Sequence, residues 1–265
     1  MPIASHVDAY DHLLVDLDGT LWVEDEPVPG AARALQTARE AGKGVAFLTN
    51  DPAHHPEEYV RKLWRLGFQA ALDEVVTVGA AVQYMLAGSG RGGTAFVIGG
   101  ASMIRHVTEA GLRVVNGTPF ASRAEVVVVS GHREFDYGHL RTAIQAVVRG
   151  ARLIGTSRDP TFPMGDGPWP GSGAVLAAVE VGSGRQADAI AGKPEPAMYA
   201  TALDRLGAGR ALVIGDRLEI DVVGAHRAGL DSALVLTGGA PHTAVDAVDP
   251  TPTHVAESFA TLLLG

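Results

Sequence analysis

Short apolar runs alternate along the chain with longer stretches whose apolar positions recur every three or four residues. Residues 12–17 (HLLVDL) form a run of strand length, and 30–42 follow with Ala31, Ala34, Leu35 and Ala38 at helical spacing. Residues 44–49 (GVAFLT) predict a second strand. Residues 56–67 predict a second helix, with proline at its start and glycine past its end. This βαβα order predicts a parallel sheet. It resumes near the other end, where 196–206 reads as helix, 210–215 as strand, 220–228 as helix and 232–236 as strand.

Between these stretches lies a segment with its own signals: strands at 94–98, 125–130 and 152–156, helices at 103–110 and 137–149, and a helix beginning near Ser172. Glycine-rich stretches at 88–93 (GSGRGG) and 182–184 (GSG) lie near its two ends, as expected where few contacts cross between domains. The pattern predicts a core built from 1–79 and 186–265 and an inserted domain at 80–185. No internal repeat is evident.

At 265 residues the chain is long enough for one large domain or two modest ones. Apolar residues make up 46% and charged residues 19%, with mean hydropathy +0.14, the composition of a packed globular protein. A formal net charge of −9 argues against nucleic acid and anionic membranes as partners, and a phosphate ligand would need local positive charge. The absence of cysteine excludes disulfides, thiolate zinc sites and Cys nucleophiles, and points to a cytoplasmic protein. The N-terminus lacks the pattern of a signal peptide, and the apolar runs are far shorter than the ~20 residues that span a bilayer.

The sharpest chemical feature is Asp16-Leu17-Asp18-Gly19-Thr20, directly after the first apolar run. In an extended chain, side chains two apart point the same way, so Asp16 and Asp18 can face one site at the strand's C-terminal end. Two carboxylates ~4 Å apart repel by about 4 kcal/mol at an effective dielectric near 20. One must therefore take a proton, or a cation must sit between them. A metal-bound Asp16 can act as a nucleophile, and a protonated Asp18 can donate to a leaving oxygen and later activate water. Three further segments carry polar groups at element ends: Thr49 and Asn50 close the second strand, Lys193 precedes a helix in Ala191-Gly192-Lys193-Pro194, and Asp216 and Asp221 lie in GDRLEID after the strand ALVI.

The strand followed by Asp-x-Asp-Gly-Thr, with these three segments in order, resembles the haloacid dehalogenase superfamily of phosphotransferases. The resemblance implies a Rossmann-like parallel-sheet α/β core. It implies that Asp16 is the nucleophile forming an aspartyl-phosphate, and that Asp18 is the acid/base residue whose backbone carbonyl also binds magnesium. Thr49 becomes a phosphate ligand, with Asn50 and Gly19 beside it in the substrate site, and Lys193 neutralises the nucleophile and the transferring phosphoryl group. Asp216 binds Mg2+ and Asp221 supports the metal site. Asp51 and Ile220 depart from the pattern of the NagD-like branch, which puts contacts at those two positions in doubt.

The insert occupies the interval where such phosphatases carry a cap. Its length, with residues 159–163 (DPTFP) and 167–174 (GPWPGSGA), resembles the large α/β C2-type cap of NagD-like and p-nitrophenyl phosphatase-like proteins. His132 and Arg133, after a cap strand, are candidates to meet the non-phosphate end of the substrate; a plain polar loop is the competing reading. His54 and His55 are adjacent, lack a third ligand in the sequence pattern and receive no role. The reading is a Mg2+-dependent phosphatase of small phosphorylated metabolites such as glycerol phosphate, phosphoglycolate, a sugar phosphate or a nucleotide, open to homodimerisation through the cap. Its rivals are a non-catalytic sensor of phosphorylated ligands and a phosphotransferase to another alcohol.

Overall fold

The computed structural model describes residues 2–87, 92–238 and 249–265. Of the glycine-rich stretch 88–93, residues 88–91 lie outside the described part. A short helix α1 (Ser5–Asp8) leads into β1 (His12–Asp16), and a hairpin of β2 (Trp22–Val23) and β3 (Glu26–Pro27) precedes α2 (Ala31–Glu40). Then come β4 (Gly44–Thr49), α3 (Pro56–Arg65), β5 (Val75–Thr77) and α4 (Val78–Ala87). The middle of the chain carries β6 (Thr94–Ile98), α5 (Ala101–Glu109), β7 (Arg113–Val114), β8 (Val126–Val129), α6 (Tyr137–Val148) and β9 (Arg152–Gly155), followed by β10 (Thr161–Met164), β11 (Gly167–Pro170), α7 (Ser172–Ser183) and β12 (Ala189–Ile190). The last part holds α8 (Ala197–Leu206), β13 (Ala211–Gly215), a π-helical turn (Leu218–Val222), α9 (Val223–Arg227), β14 (Asp231–Val235), β15 (His254–Ala256) and α10 (Phe259–Leu264).

Two compact units divide the chain. The first comprises Met1–Thr49, Pro56–Val76 and Lys193–Gly265; the second comprises Asn50–His55 and Thr77–Gly192. The sequence pattern predicts 80–185 for the second, and its contacts extend that interval at both ends.

In the first unit the strand order is β15-β14-β13-β1-β4-β5. β1 pairs in parallel with β4 on one side and β13 on the other, and β14 and β15 continue in parallel beyond β13. The chain therefore builds from β1 outward through β4 to β5, and later returns to lay β13, β14 and β15 on the opposite side. The order reverses between β1 and β13. Open parallel sheets place their ligand crevice at such a reversal, beyond the carboxyl ends of the strands. The apolar runs seen in the sequence form the sheet's interior: Leu13, Val15, Phe47, Leu212 and Ile214 pack with Ala31, Leu35, Phe259 and Leu263 in one buried cluster. Burial of each large side chain there stabilises the fold by about 1.5–3 kcal/mol, which anchors the strand ends that carry the polar residues.

The second unit has a five-stranded sheet, β12-β9-β8-β6-β7, whose pairs are parallel, and a separate antiparallel hairpin of β10 and β11. The hairpin absorbs Pro168 and Pro170, which a two-stranded ribbon tolerates because outward-facing positions need no ladder donor. Residues 182–184, whose composition suggests a boundary, instead close α7, with Gly184 as its left-handed cap. The helix expected at 220–228 begins as the π-helical turn and becomes α-helical only at Val223.

Candidate active site

Asp16 is the last residue of β1, and Asp216 follows the last residue of β13, so both stand at the point where the strand order reverses. Asp16 lies in register with Leu48 of β4, which sets Thr49, one residue further, at the same edge of the sheet; Thr49 is buried. Lys193, just before α8, reaches the same point. Its Nζ donates to Asp16 Oδ1 at 2.5 Å and to Asp221 Oδ1 at 2.7 Å. The Lys193 side chain is 2% exposed and that of Asp221 is 1% exposed, so this ion pair is shielded from water.

The π-helical turn explains how Asp221 arrives there. Its widened backbone follows Arg217, whose N–H donates to Asp221 Oδ2 at 3.2 Å, turning the carboxylate back toward the sheet. Tyr199 of α8 is fully buried, and its hydroxyl lies 3.4 Å from the Ile220 carbonyl oxygen. Burial first, then the Asp221 carboxylate, pushes the Tyr199 phenol far above its ordinary range, so it stays neutral.

Asp16, Asp216 and Asp221 each offer a carboxylate oxygen, and these oxygens lie within 4.8 Å of one another. Three carboxylates thus face one ammonium. Burial, the largest influence, pushes the Asp16 carboxyl well above the usual range; Lys193 pulls it down, and Asp221 and Asp216 push it up again. Burial and then Asp221 raise Asp216 to about 6. Burial alone would lower the Lys193 ammonium, but Asp16 and Asp221 outweigh it and hold the charge in place. Burial, with neighbouring carboxylates, raises the two carboxyls, and the same carboxylates raise the ammonium.

Asp216 Oδ1 is buried with no hydrogen-bond partner. A buried carboxylate oxygen without a donor is costly unless a cation meets it. Three carboxylates that bring one hard oxygen donor each to the same place suit Mg2+ better than any softer ion. The backbone is shaped to the same group. Gly19 (φ +80) and Gly238 approach the Asp216 carboxylate so closely that a Cβ on either would overlap it.

Other expected site residues fall differently. The Gly19 N–H, expected among the phosphate donors, points to the Trp22 carbonyl at 2.7 Å, because the left-handed turn folds the chain back on itself. Gly19 serves the turn and the approach of Asp216 instead. The Asp18 side chain is exposed and is not one of the three converging carboxylates; its Oδ1 accepts from Trp22 Nε1 at 2.7 Å. Asn50, His132 and Arg133 belong to the second unit. There the His132 ring meets His139 edge-on at 5.9 Å, and the Arg133 guanidinium lies 4.9 Å from the Trp169 ring centre. Asp51 accepts the Ala53 N–H at 2.8 Å and lies 2.6 Å from His54 Nδ1, a local turn that gives the departure at this position a structural role. Sequence reasoning missed Trp22, Tyr199 and Thr237, whose hydroxyl donates to the Gly19 carbonyl. Trp22 alone had a signal, four residues beyond Asp18 in an otherwise apolar stretch.

Residues 13–113 match a family model described as haloacid dehalogenase-like hydrolase, and residues 190–262 match a second HAD-like hydrolase model. The D-glycerol 3-phosphate phosphatase of Mycobacterium tuberculosis is 34% identical to the chain, over 96% of this chain and 71% of that protein. A crystal structure of glycerol phosphate phosphatase from the same organism in complex with magnesium superposes with TM-score 0.88 at 33% identity, covering 96% of this chain and 77% of that one. NagD from Escherichia coli K-12 superposes with TM-score 0.85 at 27% identity, over 94% of this chain and 97% of that one.

Proposed function

Since the chain belongs to the haloacid dehalogenase-like hydrolases, in the branch that includes NagD, we propose that it is a Mg2+-dependent phosphatase of small phosphorylated metabolites acting through an aspartyl-phosphate on Asp16. The observation that carries this reading is the convergence of Asp16, Lys193, Asp216 and Asp221 where the strand order reverses. Asp16, Asp216 and Asp221 would hold the metal, Asp221 while also accepting from Lys193. Bound Mg2+ supplies electrostatic stabilisation of the transferring phosphoryl oxygens.

Lys193 keeps Asp16 oriented and adds a fixed positive charge in a dry setting, where such a charge acts without reorganising solvent. Asp16 attacks phosphorus, the ester P–O bond breaks, and the departing oxygen takes a proton from Asp18. A water molecule then attacks the phosphorus, giving its proton to Asp18 and releasing phosphate and the free Asp16 carboxylate. Splitting the displacement in two avoids direct attack by water on the ester. Thr49, buried at the same strand edge, is the candidate hydroxyl donor to the phosphoryl group.

The second unit serves as the cap that selects the alcohol part of the substrate, a role supported by its place in the chain between Thr49 and Lys193. His132 and Arg133 are its candidate contacts. Glycerol phosphate is the first substrate to test, on the strength of the mycobacterial relative. Cytoplasmic residence, without nucleic-acid or membrane partners, is supported by the net charge of −9 and the lack of cysteine, and no described helix is long and apolar enough to cross a membrane. A homodimer through the cap is part of the proposal, with size-exclusion chromatography as its check.

The test is phosphate release from p-nitrophenyl phosphate and from glycerol phosphate with and without Mg2+, with acid-quenched protein assayed for acyl-phosphate. Metal-dependent turnover and a label on Asp16 are expected. A folded, magnesium-loaded protein that turns over neither compound would favour the sensor reading.

A further inference from the structure

The exposed Asp18 is held by a residue that is not exposed at all. Trp22 is fully buried, and its indole Nε1 donates to Asp18 Oδ1 at 2.7 Å. Sequence separation makes this contact local, and the backbone enforces it. Leu21 N–H donates to the Leu17 carbonyl at 2.9 Å and Gly19 N–H to the Trp22 carbonyl at 2.7 Å, a tight turn that brings position 22 back beside position 18. Beyond the turn, Trp22 is pinned as the first residue of β2, opposite Pro27 of β3. On the ring face, Lys62 of α3 places Nζ 4.6 Å from the ring centre, and the same ammonium lies 3.3 Å from Asp25 at the hairpin's tip. A cation over the π-face draws electron density from the ring and strengthens the N–H as a donor.

An indole N–H can donate but never accept. Whichever oxygen of Asp18 it holds can therefore carry no proton toward it, and the proton that Asp18 gives or takes is directed to the other oxygen. We propose that Trp22 is a positioning residue for proton transfer: by holding Oδ1 it assigns the proton to Oδ2 and fixes the plane of the carboxyl group in both of its states. This rests on the reading of Asp18 as the acid/base group. In the first step the proton on Oδ2 passes to the ester oxygen as its bond to phosphorus breaks, and in the second Oδ2 receives a proton from the attacking water; Oδ1 keeps its indole donor throughout.

A general acid contributes on the order of 10²–10⁴-fold, and only where the leaving group needs a proton. Glycerol phosphate expels an alkoxide and needs one; p-nitrophenyl phosphate expels a stable phenolate and hardly does. The readout is thus the ratio of kcat/KM for p-nitrophenyl phosphate to that for glycerol phosphate, since kcat/KM reports steps up to release of the alcohol. Trp22→Phe keeps an aromatic ring in the buried site and removes the donor. It should raise this ratio by at least about tenfold, and Lys62→Gln should raise it less. Asp18→Ala should raise the ratio by more, and Trp22→Phe added to Asp18→Ala should change it no further.

A Trp22→Phe enzyme that loses both activities in equal proportion, or neither, while Asp18→Ala raises the ratio, overturns the positioning role and leaves Asp18 as the acid. An unchanged ratio in Asp18→Ala instead removes the acid/base reading and the inference with it. Should Trp22→Phe fail to fold, benzothienylalanine at position 22 retains the bicyclic shape without the N–H and gives the same comparison.

Discussion

Asp16→Asn keeps the volume of the side chain and one of its oxygens while replacing the attacking carboxylate by an amide. Loss of a nucleophile that acts as part of a unit costs orders of magnitude, so turnover should fall by on the order of 10⁴-fold or more, with an unchanged circular dichroism spectrum. Near-normal turnover would dismiss Asp16 as the nucleophile. Lys193→Met has a different signature, because its ammonium is the shared partner of two buried carboxylates. Removing one partner of a buried pair costs about 3–5 kcal/mol, so this variant should lose both activity and stability in urea denaturation, and added Mg2+ should restore part of the stability. The four charged members of the cluster were legible because each sits at the end of an apolar run or in a short polar motif. Tyr199 and Thr237 were not, since neither has a local pattern that sets it apart from an ordinary core or loop residue.

At the scale of elements, strands buried on both faces are near-continuous apolar runs, and β1, β4, β6 and β13 could be read from composition to within a residue or two of their ends. The hairpins β2–β3 and β10–β11 could not. Strands of two residues have no period, and prolines at 163, 168 and 170 argue against a strand in any sheet wider than a ribbon. The π-helical turn was invisible for a related reason: Leu218, Ile220 and Val222 alternate over only five residues, too short a run to mark an irregular turn, and nothing local signals the inward turn of Asp221. Helix ends give a control on stability alone. Ser258 caps α10, its hydroxyl accepting the Thr261 N–H at 3.2 Å, and α10 packs in the core cluster with α2. Ser258→Ala should lower stability by about 1 kcal/mol in urea titration and leave kcat unchanged. A fall in kcat without a fall in stability would mean that α10 influences the site by a route other than folding.

For the whole molecule, the excess of carboxylates links metal, proton and stability. In the metal-free protein the Asp216 carboxyl rises from 3.8 to about 6, and Asp16 moves the same way. Between these values the folded chain holds a proton that the unfolded chain has released, so folding is favoured at the acid end. Stability is therefore lost as pH climbs from about 4 through about 6, by roughly 3 kcal/mol in all for a shift of this size, and above that interval the ionised carboxylate stays buried. Binding of a divalent cation requires the ionised forms and removes that penalty. Melting of chelator-treated protein should therefore drop between about pH 4 and pH 7, and the rise in Tm on adding Mg2+ should be larger at the upper value. A metal-free protein that melts higher at the upper pH would contradict the crowding of charge at the strand reversal.

The bond from Lys193 to Asp16 joins positions 177 residues apart. During synthesis the N-terminal aspartate leaves the ribosome long before its ammonium partner has been translated, and the second half of the central sheet comes later still. A nascent chain is thus chemically inert, whatever part of it has already collapsed. A first turnover would show that Lys193, Asp216 and Asp221 have all joined Asp16, which makes phosphate release a timer for assembly of the strand reversal as well as a measure of catalysis.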